Sequence, residues 1–362
     1  MAATDPDILF ERRGAAGLVT LNRPQALNAV TLGMVRALTG KLTEWAGDSA
    51  VTRIVVSAAG GRAFSAGGDI RALYDLGRAG RYDDMLPFWR EEYALNALIK
   101  HFPKPYAALI DGIVMGGGVG LSVHGSHRVA GDRYLFAMPE VGIGFFPDVG
   151  ATWFLPRLPG RLGVYCALTG ERLNAADGVA ASLASHRVPS ARFAELRDAL
   201  CGATSVDALL AAFAEPPGEA PIASRRPAID RLFQGERVED ILSALDAAAA
   251  TGGPDAEFAA ASAAAIRGKS PTSLELALAQ IHAGNTLTFG ACMQTEFRIV
   301  SRIIHGHDFY EGVRAVIVDK DNAPQWRPGA LEDVPHSEIE RHFAPLGPGE
   351  PPELMLPELM SP

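Results

Sequence analysis

The chain has little of what a disulfide-rich or metal-binding protein needs. It contains three cysteines among 362 residues, and Cys166, Cys201 and Cys292 are too far apart to form a C-x-x-C pair. An odd number of scattered cysteines indicates reduced thiols rather than a disulfide framework. We therefore expect a cytoplasmic protein whose cysteines lie in the core, with no metal site and no redox cofactor.

Long hydrophobic runs and an excess of basic charge are also lacking. The longest apolar stretch, residues 107–123, carries Asp111 and five glycines, and it is shorter than the roughly 20 apolar residues that a membrane-spanning helix needs. The first residues, MAATDPDILF, lack the basic and apolar regions of a secretory signal and are too acidic for a transit peptide. A net charge of −9 disfavours a partner that offers a phosphate backbone. We expect neither a membrane segment nor a nucleic-acid partner.

The first half of the chain alternates short apolar runs with glycine-rich turns. ILFERR and LVTLN, separated by GAAG, predict a β-hairpin, and RIVVSA and YAALI predict short buried strands. Residues 91–100 have apolar side chains at helical spacing, which predicts an amphipathic helix with Glu91 and Glu92 at or just inside its start. After about residue 160 the sequence is rich in Ala and Leu and predicts helices, one of them capped by Asn174.

These patterns divide the chain into three parts. We expect a core at residues 8–200, a helical C-terminal region at 201–345 and a poorly packed tail at 346–362. Residues 215–227 contain four prolines, which predicts a linker between helical groups.

Two glycine-rich loops attract attention. MGGGVG, residues 115–120, follows a predicted strand and precedes a predicted helix, so its backbone N–H groups suit a ligand with negative charge. Close packing of helix on strand explains the same glycines equally well. Leu121 stands where G-x-G-x-x-G requires its third glycine, so a dinucleotide fold is disfavoured. AFSAGGDI, residues 63–70, predicts a second loop and a helix that begins near Asp69.

Other catalytic and metal-binding patterns are weak. Ser65 imitates the nucleophile elbow of a serine hydrolase, but its surroundings in the sequence mark no His or Asp partner. His124 with His127, and His305 with His307, each lack a third ligand at a recognisable spacing, so core or capping roles are favoured.

Two acids lie in an apolar segment, FAMPEVGIGFFPDVG, residues 136–150. Burial of an unpaired charge is costly, so Glu140 and Asp148 must be paired, neutralised or used in chemistry. The prolines and glycines of the segment exclude a continuous helix. A structural role is the alternative, in which Glu140 caps a helix or forms a salt bridge and Asp148 is the N-cap of the helix that follows.

The motifs LNRPQALNA, AFSAGGDI, DGIVMGGGVGLSVHG and FAMPEVGIGFFPDVGATWFLPRL together resemble the crotonase, or enoyl-CoA hydratase/isomerase, superfamily in order and spacing. Within it, REEYALN, FFPDVG, CALTGERL, KSPTSLELAL and HDFYEGVRAVIVDKDNAPQW resemble the 3-hydroxyisobutyryl-CoA hydrolases. The resemblance extends from about residue 8 to residue 345. It implies an α/β fold, a spiral of β-β-α turns with two roughly perpendicular sheets, followed by a C-terminal helical region that often mediates trimer formation.

The resemblance also implies an acyl-CoA thioester as substrate, with CoA as part of that substrate rather than a cofactor. Its carbonyl oxygen would be held by the backbone N–H groups of Gly68 and Gly117. Its CoA portion would lie along Ala26 and along Gly68, Asp69 and Ile70.

Reactive side chains are implied by the same resemblance. Glu140 and Asp148 match the catalytic acids, and Glu92 matches a further polar position of the site. The resemblance implies that Glu92, Gly117, Glu140 and Asp148 all contact the substrate. In the hydratases of this family the corresponding motif is GGG-x-E, which has a second catalytic glutamate where this chain has Gly120. This difference favours hydrolysis over hydration.

We therefore expect a hydrolase that converts 3-hydroxyisobutyryl-CoA and water to 3-hydroxyisobutyrate and CoA, a step of valine breakdown. Glu140 would attack the thioester or activate water, and the sequence leaves both routes open. An enoyl-CoA hydratase or isomerase that uses Glu140 alone, and a non-catalytic acyl-CoA binding protein, are the alternatives. A homo-oligomer built from trimers is expected if the chain associates.

Overall fold

A computed structural model describes residues 6–356 of the chain. Its larger sheet starts with the predicted hairpin, in which β1 (Ile8–Arg13) pairs antiparallel with β2 (Ala16–Leu21) and Ile8 lies opposite Leu21. Four further strands extend this sheet by parallel pairing: β3 (Arg53–Ala58), β5 (Tyr106–Ile110), β7 (His127–Ala130) and β9 (His186–Arg187). RIVVSA and YAALI are thus buried strands, as predicted.

A second, smaller sheet contains three parallel strands: β4 (Ala63–Ser65), β6 (Ile113–Met115) and β8 (Leu135–Ala137). After each of β3, β5 and β7, the chain passes directly to the smaller sheet. Each turn of the chain therefore adds one strand to both sheets, and the predicted two-sheet spiral is confirmed. The loops that follow β4, β6 and β8 consequently lie side by side.

Helices join successive turns of the spiral in the first part of the chain: α1 (Leu32–Gly47), α2 (Ile70–Arg78), α3 (Tyr82–Lys100), α4 (Gly117–Gly120), α5 (Ala151–Phe154), α6 (Leu162–Thr169) and α7 (Ala175–Ala180). The predicted cap Asn174 is present and accepts a hydrogen bond from Asp177 N–H. The helix predicted to begin near Asp69 starts at Ile70, and Asp69 accepts a hydrogen bond from Ala72 N–H. Helix α3 begins at Tyr82, well before the predicted start near Glu91. Pro87 lies in its second turn and did not prevent the longer helix.

The C-terminal region is helical, as predicted: α8 (Phe193–Ala199), α9 (Val206–Phe213), α10 (Pro221–Leu232), α11 (Val238–Ala250), α12 (Ala256–Arg267), α13 (Pro271–Gly284), α14 (Phe289–Ile303), α15 (His307–Val313) and α16 (His336–Phe343). The predicted linker at 215–227 is wrong beyond residue 220. Pro221 occupies the first position of α10, where a missing N–H costs nothing, and Pro227 lies inside the same helix.

The predicted tail, residues 346–362, is wrong in part, because some of residues 346–356 contact the helical region; residues 357–362 lie outside the described residues. Leu354 is 1% exposed. Glu350 pairs with Arg302 at 2.7 Å, and Glu353 pairs with Arg298 at 2.9 Å. These pairs attach residues 350–353 to α14.

One hydrophobic core joins the sheet region to the C-terminal helices. Phe145 stacks on Trp89 of α3 with ring centres 5.7 Å apart, and it also contacts Phe309 of α15 at 5.7 Å. A separate apolar cluster lies under α8 and α9. Within residues 6–356, no helix is both long and apolar enough to cross a membrane.

Candidate active site

A cavity of about 800 Å³ lies where the loops after β4, β6 and β8 meet. It is lined by every residue that the sequence assigned to the site: Ala26, Gly68, Asp69, Ile70, Glu92, Gly117, Glu140 and Asp148. Val316 and Ile317, from the segment after α15, complete one wall. The fold thus brings all predicted site residues together and adds a wall from the C-terminal region.

The two glycine-rich loops pack against each other at the centre of the cavity. A Cβ atom on Gly117 would lie 3.2 Å from Gly68 N and 2.5 Å from Glu92 Oε1, so only glycine fits there. Gly117 is the first residue of α4, and its N–H has no partner within the helix. The bridge between Val30 and the second loop uses Gly67 C=O and Asp69 N–H and leaves out the N–H of Gly68. Both N–H groups are therefore available to a ligand.

Glu140 begins a short 3₁₀ turn, Glu140–Ile143, immediately after β8 and Pro139. Its side chain is buried, and Oε2 has no hydrogen-bond partner among the described residues. Burial raises the pKa of Glu140 well above its ordinary value, and the charge of Asp148 raises it further. The structural alternative of a salt bridge is not supported, because no described Lys, Arg or His lies within ion-pair distance.

Asp148 faces the same cavity and accepts a hydrogen bond at Oδ2 from the Tyr93 hydroxyl at 2.9 Å. Burial raises its pKa to about 7, and the bond from Tyr93 opposes that rise. The expectation that its side chain caps the next helix is wrong. Gly150 is the N-cap of α5, and Ala151 N–H donates to the backbone carbonyl of Asp148 at 3.0 Å. The carboxyl group is left for the cavity.

Glu92 and Asn96 lie one turn apart on α3. Glu92 is buried and its Oε1 atom has no hydrogen-bond partner among the described residues, and the same holds for both polar atoms of the Asn96 side chain. Burial raises the pKa of Glu92, and the charges of Asp148 and Glu296 add to the rise. Unpaired buried polar atoms are rare in proteins and commonly mark a place where a ligand binds.

Gly120 occupies the position where a second acid would have to stand. A Cβ atom there would lie 2.7 Å from Asn96 Nδ2 and 2.8 Å from Val149 Cβ, closer than real Cβ atoms come to other atoms. The packing around Gly120 therefore excludes any side chain. With Asn96 and Val149 in these positions, the site has no space for a second glutamate at residue 120.

Sequence reasoning missed two residues close to the acids. Tyr93 lies in the motif REEYALN, which was available as a signal, but a tyrosine at helical spacing is usually a core residue. Glu296 lies on α14 and is fully buried, and it accepts hydrogen bonds from Gly150 N–H and Thr152 N–H, both at 2.8 Å. Burial raises the pKa of Glu296 to about 8. Nothing local in the sequence relates it to residues 148–152.

Three basic side chains line the same cavity: Arg71, Lys269 and Lys320. Lys269 approaches the 3₁₀ turn that carries Glu140, since its Nζ lies 3.3 Å from the position of a Cβ on Gly142. Burial lowers the pKa of Lys269. The cavity therefore contains basic side chains as well as the acids, although the chain as a whole is acidic.

Ser65 and the histidines have structural contacts. Ser65 is buried, and its hydroxyl accepts a hydrogen bond from Gly67 N–H at 3.3 Å. His124 Nε2 lies 2.7 Å from the carbonyl of Val149, and His307 Nε2 lies 3.0 Å from that of Gln325. The described residues contain no cluster of three or more His, Cys, Asp or Glu side chains that could hold a metal ion.

The sequence of this chain is similar to proteins of one family. Residues 16–343 match the family described as enoyl-CoA hydratase/isomerase. A protein named "3-hydroxyisobutyryl-CoA hydrolase, mitochondrial" from Danio rerio is 44% identical over 350 residues, which cover 94% of this chain and 90% of that protein. The protein of the same name from Homo sapiens is 41% identical and covers 94% and 89%.

Solved structures with other names are similar along the whole chain. A carnitinyl-CoA dehydratase from Mycobacterium thermoresistibile is 40% identical with a TM-score of 0.90, and the match covers 98% of this chain and 100% of that one. An enoyl-CoA hydratase from Rhodobacter sphaeroides is 40% identical with a TM-score of 0.87, and the match covers 95% and 99%. The fold of the described chain is thus that of the family.

Proposed function

Because this chain belongs to the enoyl-CoA hydratase/isomerase family, we propose that it is an acyl-CoA thioester hydrolase that converts 3-hydroxyisobutyryl-CoA and water to 3-hydroxyisobutyrate and CoA. The observation that carries the proposal is the pair of buried acids, Glu140 and Asp148, in one cavity with the N–H groups of Gly68 and Gly117. The names of the relatives from Danio rerio and Homo sapiens support the choice of substrate. Such a reaction is one step of valine breakdown.

The two glycine N–H groups would hold the thioester carbonyl. When the carbonyl carbon is attacked, negative charge develops on its oxygen, and donors that already point at this position stabilise that charge without reorganising. The loss of one such donor typically costs about 3 kcal/mol of activation free energy. Glycine at both positions lets the thioester approach the backbone closely.

Glu140 and Asp148 would carry the reaction. In one route Glu140 attacks the carbonyl carbon, the C–S bond breaks and CoA leaves as its thiolate, and water then hydrolyses the mixed anhydride. In the other route Glu140 takes a proton from water as the water attacks. Asp148 orients the water or the substrate hydroxyl in both. Transfer of ¹⁸O from labelled water into the Glu140 carboxyl during turnover occurs only in the first route.

The thiol leaving group explains why thioester hydrolysis can proceed with Glu140 and Asp148 and without a second glutamate at position 120. An ordinary thiol has a pKa of about 8.5, so a thiolate departs near neutral pH with little help from an acid. Hydration of a double bond is different, because a proton must be supplied to carbon. The absence of a second glutamate at Gly120 therefore suits thioester hydrolysis.

The CoA portion would extend from the glycine loops along Ala26, Asp69 and Ile70, which line the cavity. Lys269, Lys320 and Arg71 line it as well and suit the phosphate groups of CoA. Glu92, with its unpaired Oε1 beside Gly117, would accept a hydrogen bond from the hydroxyl of the substrate or from water.

A hydratase or dehydratase that uses Glu140 alone is the second candidate. It is favoured by the two solved structures, whose names describe hydration chemistry. The crowding around Gly120 weighs against the usual two-glutamate hydration mechanism, so Glu140 would have to supply and remove the proton without a second acid.

The test compares release of free CoA thiol from 3-hydroxyisobutyryl-CoA with loss of the double bond of crotonyl-CoA. Glu140→Gln and Asp148→Asn keep the side-chain shapes, and each is expected to lower thiol release about 10²- to 10⁴-fold. Asp177→Asn is a matched control, since Asp177 is a buried acid in the capping box of α7 and not a lining residue of the cavity. Thiol release should survive in this control.

Two outcomes would overturn the proposal. Loss of the crotonyl-CoA double bond without thiol release would identify a hydratase. Tight binding of acyl-CoA without turnover of any thioester would identify a binding protein, the third alternative.

We also propose a location and an assembly for the protein. The three free cysteines support a reducing compartment, which we propose is the cytoplasm, whereas the relatives are named mitochondrial. Cell fractionation with an antibody decides between the two. The family resemblance supports an assembly built from trimers, and light scattering during gel filtration measures it.

A further inference from the structure

The chain just after Asp148 has an unfavourable backbone conformation. Val149 has a φ angle of 54° and Gly150 one of 91°, so two successive residues lie in the left-handed region. Glycine adopts this region freely, but for a β-branched residue such as valine this conformation is rare and strained. Such a conformation persists only where the surrounding structure enforces it.

Hydrogen bonds from three different parts of the chain hold this turn. His124 lies 2.7 Å from the carbonyl of Val149, and Gln280 donates to the carbonyl of Pro147 at 2.5 Å. Glu296 accepts from Gly150 N–H and Thr152 N–H at 2.8 Å each. Among the described residues, Glu296 is thus the side chain that spans the turn, with one oxygen bonded to Gly150 N–H and the other to Thr152 N–H inside α5.

Glu296 stands behind the turn and not in the substrate cavity. It is 0% exposed and is not one of the residues that line the cavity. Its two bonds account for both carboxyl oxygens, and no described Lys or Arg pairs with it. A buried acid without a cation is costly unless hydrogen bonds compensate for the lost hydration, so its partners at Gly150 and Thr152 define its role.

We propose that Glu296 is a positioning residue, which enforces the left-handed conformation of Val149 and thereby aims the Asp148 carboxyl group into the cavity. The proposal rests on the proposed hydrolase function. It deepens that function by making the site depend on α14, a helix of the C-terminal region. Since Asp148 precedes the strained residue directly, a change of φ at Val149 rotates the backbone that carries it.

The first test compares Glu296→Gln with Glu350→Gln. Glutamine keeps the shape but presents its NH₂ group to one of the two backbone N–H groups, so one bond is lost. We expect kcat for thiol release to fall about 10- to 100-fold, as for a small misplacement of a catalytic group, with KM within about twofold because the cavity lining is intact. Glu350 contacts the same helix through Arg302, and its substitution should leave kcat unchanged.

The second test uses a double-mutant cycle with Val149→Gly. If Glu296 acts by enforcing a positive φ, glycine at position 149 removes the need for that enforcement. Glu296→Gln should then lower kcat less in the Val149→Gly background than in wild type. A merely structural role of Glu296 predicts the same factor in both backgrounds, and that result would overturn the proposal. An equal loss of kcat in Glu296→Gln and Glu350→Gln would overturn it as well.

Amide hydrogen exchange keeps the proposal testable if Glu296→Gln does not fold. In the wild-type protein the amides of Gly150 and Thr152 should exchange slowly, although they lie at a turn and in the first turn of a helix, where partners within the helix are lacking. Fast exchange of both amides would contradict the proposal. Failure of wild type to release thiol would instead contradict the proposed function, so the two failures are distinguishable.

Discussion

The hydroxyl of Tyr93 donates a hydrogen bond to Asp148 Oδ2 at 2.9 Å, and both groups are buried. The bond joins α3 to the loop after β8, two elements 55 residues apart in the chain. It favours the charged form of the carboxyl group and so opposes the rise of the Asp148 pKa that burial causes. Tyr93 thus lowers the pKa of Asp148 from the value that burial alone would give.

Tyr93→Phe should therefore raise the pKa of Asp148. A hydrogen bond to a charged group contributes about 1.5–3 kcal/mol, which corresponds to a shift of about one pH unit or more. If the ionised pair Glu140 and Asp148 is the active form, the rising limb of the pH–rate profile moves to higher pH. Thiol release measured between pH 5 and 9 tests this expectation. An unchanged profile would show that Asp148 does not limit the rate through its ionisation.

Asp148→Asn should stabilise the protein at high pH. Folding raises the pKa of Asp148 from 3.8 to about 7, so the folded state binds a proton more tightly than the unfolded state. The stability that this proton contributes is present at low pH and is lost as the pH rises from about 4 to about 7. The neutral asparagine avoids that loss. We expect a gain of ~2–4 kcal/mol at pH 8, shrinking toward pH 4.

Urea denaturation at pH 5 and at pH 8 measures this difference. Asp177→Asn is the matched control, because the Asp177 carboxyl accepts bonds from Ile222 N–H and Asn174 N–H. Its substitution should destabilise the protein. A loss of stability in Asp148→Asn at pH 8 would contradict the view that burial of the charge is costly there.

Gly120→Ala should destabilise the protein although alanine favours helices. The added Cβ meets Asn96 and Val149 at less than 3 Å, and such overpacking typically costs 1–3 kcal/mol. Gly40→Ala is the control, because Gly40 lies inside α1 with no atom within 4 Å of the added Cβ. It should gain about 0.5–1 kcal/mol. Thermal unfolding of both variants gives the comparison, and similar changes in the two would refute the packing argument at Gly120.

The packed segment near the C-terminus allows a comparison of neighbouring residues. Leu354 is 1% exposed and Met355 is 79% exposed. Leu354→Ala should cost ~2–4 kcal/mol, because it leaves a cavity in the core. Met355→Ala should change stability by less than about 0.5 kcal/mol. Equal effects in chemical denaturation would mean that residues 346–356 do not contribute to the core.

The sequence by itself determined most of the strands and helices and identified the acids and glycine loops of the site. The hairpin, the strands RIVVSA and YAALI, the two glycine loops and the acids of FAMPEVGIGFFPDVG all follow from local patterns, because hydrophobic periodicity and turn residues are properties of short segments. The same local rules placed the start of α3 too late, because the helix contains Pro87. They also extended the predicted linker into α10, because that helix contains Pro227.

Only the tertiary structure decided how the acids are used. Tyr93 and Glu296 are distant from Asp148 in the sequence, and no periodicity relates a buried tyrosine or a buried glutamate to a loop 50 to 150 residues away. Similarly, the side chains that crowd Gly120 belong to Asn96 and to Val149, both of which are distant from it in the sequence. Contacts between distant segments, and the burial that changes the pKa of each acid, exist only once the spiral and the C-terminal helices have packed together.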